Sequence, residues 1–286
     1  MNVLEVGNRA VRRGLMALGV VSDTTTLLGH RVHFYRLGGV GNGPPLMLVH
    51  GLGSSANAFF RTLLPLSKRF SAIYALDMPG NGVSPLPASG ALTVREHVDV
   101  LRAFRKDIIG SKVFLVGNSL GGGMAFYFAH HEPEALAALG VVSPAGARWT
   151  DDEMAKVRST FDLRSNGDAR AFARKLFANA PLPLLAFPGG LRAMLATPTV
   201  RRIVDEASLD DTITEAMLAG LTMPTLLLWG QQERVLPYRS IAYFREHLPK
   251  TAEVHEVPHF GHMPQMEHPR DFVQHVIRFA ENKGLV

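Results

Sequence analysis

The sequence contains no cysteine. That absence excludes a disulfide framework, a thiolate zinc site, an iron–sulfur cluster and a cysteine nucleophile. It says little about compartment, because a chain of 286 residues can bury a large core without disulfides. Charge is also sparse. Only 19% of residues are Asp, Glu, Lys or Arg, against about 25% in an average soluble domain. Beside 47% hydrophobic residues, this balance reads as globular and argues against disorder. Long apolar runs are missing, and none approaches the ~18 residues of a membrane span. The N-terminus lacks the continuous apolar stretch of a signal peptide, so a cytoplasmic or membrane-surface location is expected. There is no internal repeat, no metal-ligand spacing and no nucleotide-binding loop, so neither metal nor cofactor is expected.

The net charge of +5 is spread along the chain, with adjacent arginine pairs only at Arg12-Arg13 and Arg201-Arg202. No finger spacing, RNA-module aromatic motif or basic tail accompanies it, so nucleic acid is not an expected partner. Residues 3–21 have helical periodicity. Val3, Leu4, Val6, Val11, Leu15, Leu18 and Val21 share one broad face, with Glu5, Asn8, Arg9, Arg12 and Arg13 opposite. Such a basic amphipathic helix either packs on its own domain or a partner subunit, or touches a membrane surface.

Beyond residue 21, short β-like runs alternate with helical ones. Residues 24–28 and 31–37 read as a hairpin turned at Gly29-His30, and residues 46–50, 72–77, 112–116, 139–143, 225–229 and 253–257 as strands. Most of these are apolar without alternation, as in strands covered on both faces. Helices are expected over residues 57–66 with Asn57 as N-cap, over 93–109 with a Thr93/Glu96 capping box, and over 120–131 and 269–281. The alternation implies a mostly parallel sheet flanked by helices. Residues 146–222 break the pattern. Helical stretches at 153–161, 169–178, 191–196 and 212–221 surround a proline-rich bridge at 181–188. They read as a helical lid inserted into a core made of residues 22–145 and 223–286.

Gly117-Asn118-Ser119-Leu120-Gly121 fits G-x-S-x-G, follows an apolar strand and opens a helix. That context is the one a nucleophile elbow needs. Flanking glycines allow strand and helix to approach where a β-carbon would clash. The bland alternative is a glycine-rich turn with a capping serine. A serine hydroxyl needs a base to take its proton. His262 lies just past the last strand and is the first candidate, with His259 second. The base needs an acid to hold its tautomer. Glu233 is the only carboxylate in the loop after residues 225–229, unless it merely pairs with Arg234 or Arg239. The order Ser119, Glu233, His262 is the chain order of such sites. His50-Gly51-Leu52-Gly53 ends another strand, so the backbone amides of Leu52 and Leu120 are the candidate oxyanion donors.

Five elements together resemble the α/β-hydrolase superfamily: His50-Gly51-Leu52-Gly53, the Asp77–Ser84 loop, Gly117–Gly122, Trp229–Glu233, and Gly261-His262 with Glu267 and Pro269. The resemblance covers about residues 28–281 apart from the lid. It implies an α/β-hydrolase fold, Ser119 as nucleophile, His262 as base, Glu233 as acid and a structural Asp77 loop. Relatives more often have Asp where Glu233 stands. Ser119 argues against the dehalogenase and epoxide-hydrolase branches, which resemble the pattern with Asp at that position. Gly117–Gly122 and Gly261–His268 are similar to carbon–carbon hydrolases of aromatic ring-cleavage products. Those enzymes usually carry tryptophan where Met263 stands.

The expected activity is therefore a serine carboxylic-ester hydrolase without cofactor, acting on a small-molecule ester with an apolar acyl or alkyl group. Gly51, Asn118, Met263, Leu185 and Phe187 are its expected substrate-binding residues. Carbon–carbon hydrolysis is the alternative and needs a cation for its substrate's carboxylate, with Arg192 or Arg148 as candidates. A non-catalytic binding member of the fold is the third reading. A membrane-associated lipase is a refinement of the first, using residues 3–21.

Overall fold

The computed structural model describes residues 3–286. Its strands are β1 (Val21–Leu27), β2 (His30–Gly38), β3 (Leu46–Val49), β4 (Ala72–Leu76), β5 (Val113–Asn118), β6 (Leu136–Val142), β7 (Thr225–Gly230) and β8 (Glu253–Val257). They form one sheet in the order β1-β2-β4-β3-β5-β6-β7-β8. β2 runs antiparallel to β1 and β4, and the other pairings are parallel. β3, β5 and β7 are buried at every position, which is why their sequences are apolar runs without alternation.

The helices are α1 (Val3–Ala17), α2 (Leu63–Leu66), α3 (Val94–Phe104), α4 (Leu120–His131), α5 (Asp151–Thr160), α6 (Asn166–Leu176), α7 (Leu182–Ala186), α8 (Gly189–Leu195), α9 (Pro198–Glu206), α10 (Glu215–Ala219), α11 (Arg239–His247), α12 (Pro264–Glu267) and α13 (Pro269–Asn282). Helices α5 to α10 fill the stretch between β6 and β7. Among the described residues, no helix is long and apolar enough to cross a membrane.

From β3 the chain moves to β4 on one side of β3, then returns past it to β5 on the other. The strand order thus reverses between β3 and β5, and open α/β sheets hold ligands outside the carboxyl ends of such a pair. His50-Gly51-Leu52 follows β3 there, and Ser119 follows β5. The approach is close. A β-carbon on Gly117 would lie 2.1 Å from the Gly121 carbonyl oxygen, and one on Gly121 would lie 2.5 Å from that of Val49. Only glycine lets the turn, α4 and β3 meet this way.

Several boundaries differ from the sequence expectation. The N-terminal helix ends at Ala17, and Val21 already belongs to β1. Gly19 takes φ +87°, and the Val20 amide donates to Leu15 O at 3.0 Å. Leu15 and Val20 are both buried, so the stop is a Schellman motif with its apolar contact. Of the expected apolar face, Leu15 is buried and Leu4 and Val11 are half-buried, but Val6, Leu18 and Val21 are exposed. Asn57 caps no helix. A 3-10 turn, Ala56–Phe59, precedes α2. The Asn57 side chain instead accepts the Tyr35 hydroxyl at 2.8 Å and donates to Asn8 Oδ1 at 3.1 Å. The Thr93/Glu96 capping box is present, but the α-helix ends at Phe104 and a π turn continues to Ile109. In the helical stretch, α7 forms inside the proline-rich bridge, and Thr197 caps α9, which the periodicity alone does not reveal.

Candidate active site

Ser119 sits at φ 56°, ψ −120°. A residue with a β-carbon adopts that region only under strain. Its carbonyl accepts the amides of Gly122, Gly123 and Ala145 at 2.9, 3.1 and 3.0 Å, which hold the turn. The strand–turn–helix arrangement has the shape a nucleophile elbow needs, and the Ser119 side chain makes no helix-cap hydrogen bond.

His262 lies in the loop between β8 and α12. Its Nδ1 is 2.6 Å from Glu233 Oε2, and both side chains are almost wholly buried. The other oxygen, Oε1, accepts the amides of Val235 and Leu236 at 2.7 and 3.1 Å. Burial alone would push the Glu233 carboxyl up. The charge and hydrogen bond of His262, with the two amides, overcome it and hold the carboxyl below the usual range. Glu233 is thus an ionised, fully satisfied partner that fixes the imidazole with its proton on Nδ1. The two arginines that could have claimed it are engaged elsewhere: Arg234 with Gln232 and Arg174 O, Arg239 with Glu153 and Arg148 O. His259 pairs with Asp271 at 2.8 Å on the surface and lines neither cavity at Ser119.

Among the described residues, the Leu52 and Leu120 amides donate to no protein acceptor. Leu120 opens α4, so its amide also carries the positive end of the helix dipole. Gly51 brings the β3 loop against the turn. A β-carbon there would stand 3.5 Å from Ser119 Oγ.

Asn118 lines a cavity, but its polar atoms are occupied by the protein. Nδ2 donates to Val142 O at 3.1 Å and His262 O at 2.9 Å, and Oδ1 accepts from Gln265 Nε2 at 3.0 Å. These bonds tie it to the His262 loop. Glu267 does the same from the other side, accepting the amides of Ala178 and Asn179 at 3.0 and 2.6 Å. Gln265 and Glu267 are positioning residues that sequence reasoning gave no such role, since their partners lie far away along the chain.

Two cavities meet at Ser119. The first, about 120 Å³, is lined by Leu120, Tyr127, Trp149, Met154, Ile213 and others. The second, about 150 Å³, is lined by Gly51, His262, Met263, Met266, Phe177 and α1 residues among others. Gly51 and Met263 line this second cavity. Leu185 and Phe187 line neither cavity, and Phe187 is 54% exposed. Their proline-rich stretch turns as α7, and Leu184 faces inward instead. The sequence shows no metal-ligand spacing, yet the fold brings ligand atoms of His259, His268 and Asp271 within 4.8 Å of one another. That group shares no residue with the two cavities.

The Asp77 loop is structural, as the resemblance implies. Buried Asp77 accepts the Ala56 and Val83 amides at 2.6 and 2.8 Å and meets His33 Nδ1 at 2.8 Å. His50 ties this loop to the end of β3. Its Nε2 accepts the Met78 amide at 3.1 Å, and its Nδ1 lies 2.7 Å from Gly51 O. Both nitrogens are therefore filled in the neutral form, and burial holds the His50 pKa below its ordinary value. A histidine with a lowered folded pKa gives stability that is present above the unfolded value, about 6.5, and is lost as pH falls. Thermal melts should show unfolding free energy dropping by up to about 1.4 kcal/mol per pH unit below that value. His50→Gln, which cannot take up the proton, should flatten this slope. An equally steep slope in His50→Gln would assign it to other groups.

Residues 44–269 match the model of the alpha/beta hydrolase fold family. The chain is 28% identical over 247 residues to a 2-hydroxymuconate semialdehyde hydrolase of a Pseudomonas species, covering 81% of this chain and 85% of that one. It is 26% identical over 263 residues to a pimeloyl-[acyl-carrier protein] methyl ester esterase of Chromobacterium violaceum, covering 86% and 97%. Among solved structures it superposes on a membrane phospholipase A described as a bacterial virulence factor, with TM-score 0.84, 28% identity and coverage of 99% and 92%. The elbow, the sheet that carries it and the extent of the match agree, and the chain belongs to the alpha/beta hydrolase family.

Proposed function

We propose that the protein is a serine hydrolase of carboxylic esters with apolar acyl or alkyl groups. One observation carries this reading. Ser119 stands on a strained turn where two apolar cavities meet, beside a buried His262–Glu233 pair. Ser119 Oγ attacks the acyl carbon while His262 Nε2 takes its proton. The carbonyl π electrons move onto oxygen, which the Leu52 and Leu120 amides receive. Collapse expels the alcohol oxygen, which takes the proton from His262 and leaves an acyl-Ser119 ester. Water repeats the sequence, giving the carboxylic acid and restoring Ser119. Residues 146–222 act as a lid over the site, and α5, α6 and α8 contribute apolar side chains to the cavities. No metal or redox group takes part in these steps.

Carbon–carbon hydrolysis is the second reading, favoured by relatives of that activity. It needs a cation near Ser119. Arg192 is turned to Leu163 O and Arg164 O, and Arg148 pairs with Glu215, so neither lines the two cavities. Arg158 does line the first cavity, bonded to Ala207 O. Turnover of p-nitrophenyl esters, with a ring-cleavage dienone as competitor substrate, separates the two. The expected result is ester kcat/KM above dienone kcat/KM. A dienone preference lost in Arg158→Met would establish the second reading instead. Inactivity toward both, without labelling by a fluorophosphonate, would favour a binding role.

A further inference from the structure

An ester at Ser119 has three parts to place: the carbonyl oxygen, the acyl chain and the leaving alcohol. The leaving oxygen must face His262, because that imidazole returns the proton to it. His262 lines the second cavity and not the first, while of the two oxyanion donors Leu120 lines the first and not the second, and Leu52 lies between them, lining both. We infer that the leaving alcohol occupies the second cavity and that the N-terminal helix α1 is the wall that selects it. The inference rests on the ester-hydrolase reading and adds which arm goes where.

Leu4, Asn8 and Val11 supply that wall. Their spacing of four and three residues puts them on one helix face. The helix is anchored at several points. Asn8 is held by Asn57, itself bonded to Tyr35. Arg12 Nε donates to Ser22 Oγ at 2.9 Å, and Ser22 meets His33 Nε2 at 2.7 Å, linking α1 to buried Asp77. α1 also packs against α8 of the helical stretch. These anchors make α1 a fixed part of the cavity rather than a loose tail. The family match begins at residue 44, so this wall lies outside the part of the chain common to the family.

The chemistry of the second cavity defines its ligand. Leu176, Phe177, Met263 and Met266 are apolar, and two of them are flexible methionines that adapt to shape. An apolar alcohol of several carbons, linear or aromatic, would fill it. Methanol would leave it empty, forgoing the burial that stabilises the bound ester.

The test uses the full chain and two ester series. One varies the alcohol (methyl, hexyl, 2-naphthyl) on a fixed butyryl group. The other varies acyl length on p-nitrophenol. Val11→Trp should lower the naphthyl-to-methyl ratio of kcat/KM at least tenfold, and Val11→Ala, which widens the cavity, should raise it. Both should keep the ranking over acyl length. Val204→Trp, which narrows the first cavity, should do the converse. Circular dichroism checks folding, and Val11→Ala carries the test if Val11→Trp misfolds. Val11 variants that reorder the acyl series would overturn the assignment of the arms. An alcohol ratio indifferent to both Val11 variants would remove α1 as the selecting wall while ester hydrolysis stands. If the unsubstituted protein turns over no ester and does not label at Ser119, the parent reading itself falls.

Discussion

Ser119→Ala should lower ester kcat/KM by a factor on the order of 10⁵ and abolish fluorophosphonate labelling. Losing the nucleophile of a serine triad costs about as much as losing the whole triad, and the remaining rate comes from the oxyanion donors and binding. A second effect distinguishes a strained elbow from a plain turn. Ser119 holds φ 56°, ψ −120°, a sparsely populated region that costs about 1–3 kcal/mol for a residue with a β-carbon. Alanine keeps that cost and glycine removes much of it, although glycine gains freedom in the unfolded chain. Ser119→Gly should therefore melt no lower than Ser119→Ala, against the usual rule that glycine destabilises. Equal activity of Ser119→Ala and the unsubstituted protein would remove Ser119 as nucleophile. A Ser119→Gly variant markedly less stable than Ser119→Ala would mean that the turn is not strained as its angles imply.

What the sequence made legible was what local physics decides. Parallel strands buried on both faces must be apolar throughout, so β3, β5 and β7 could be read as runs. Glycine is forced where backbones touch, so the Gly117–Gly121 turn carried its geometry openly. The Thr93/Glu96 box marked its helix because both halves lie within one turn. Other signals were present but misweighted. Gly19 announced the end of α1 against an apolar periodicity that ran on to Val21, and Thr197-Pro198 announced α9. The unread part depends on residues far apart. Asn57 looks like a cap, but Tyr35 and Asn8 outcompete that role. Asn118 looks free to bind substrate, but Val142, His262 and Gln265 occupy it. Leu184 and Leu185 are adjacent and equally apolar, and only the turn of α7 places the first in the cavity.

Glu233→Gln should lower kcat by about 10³–10⁴, as expected when the group that holds a catalytic imidazole loses its charge. The local hydrogen bonds explain why so small a change matters. Oε2 faces His262 Nδ1 at 2.6 Å, and Oε1 faces two amide donors, Val235 and Leu236. Glutamine has one accepting end. If its oxygen takes the two amides, its NH₂ faces Nδ1 and drives the imidazole proton to Nε2, the nitrogen that must be free to accept from Ser119. If the oxygen faces His262, the NH₂ meets two donors in a buried site. Either arrangement leaves a buried polar group opposed or unpaired, so stability should fall by about 1–3 kcal/mol as well. Glu233→Asp keeps the charge but is one methylene shorter, so its carboxylate cannot hold both His262 and the amides from the same backbone position. Its kcat should lie between those of Glu233→Gln and the unsubstituted protein. The acid limb of stability supplies a further check. The Glu233 carboxyl is held below its ordinary range in the folded chain, so its contribution is present above the unfolded carboxylate pKa and lost as pH falls through the folded one. That contribution should be missing from Glu233→Gln. Kinetics within tenfold of the unsubstituted protein would remove Glu233 from the triad. His262 would then be oriented by its backbone alone, through its amide to Leu176 O and its carbonyl to Asn118.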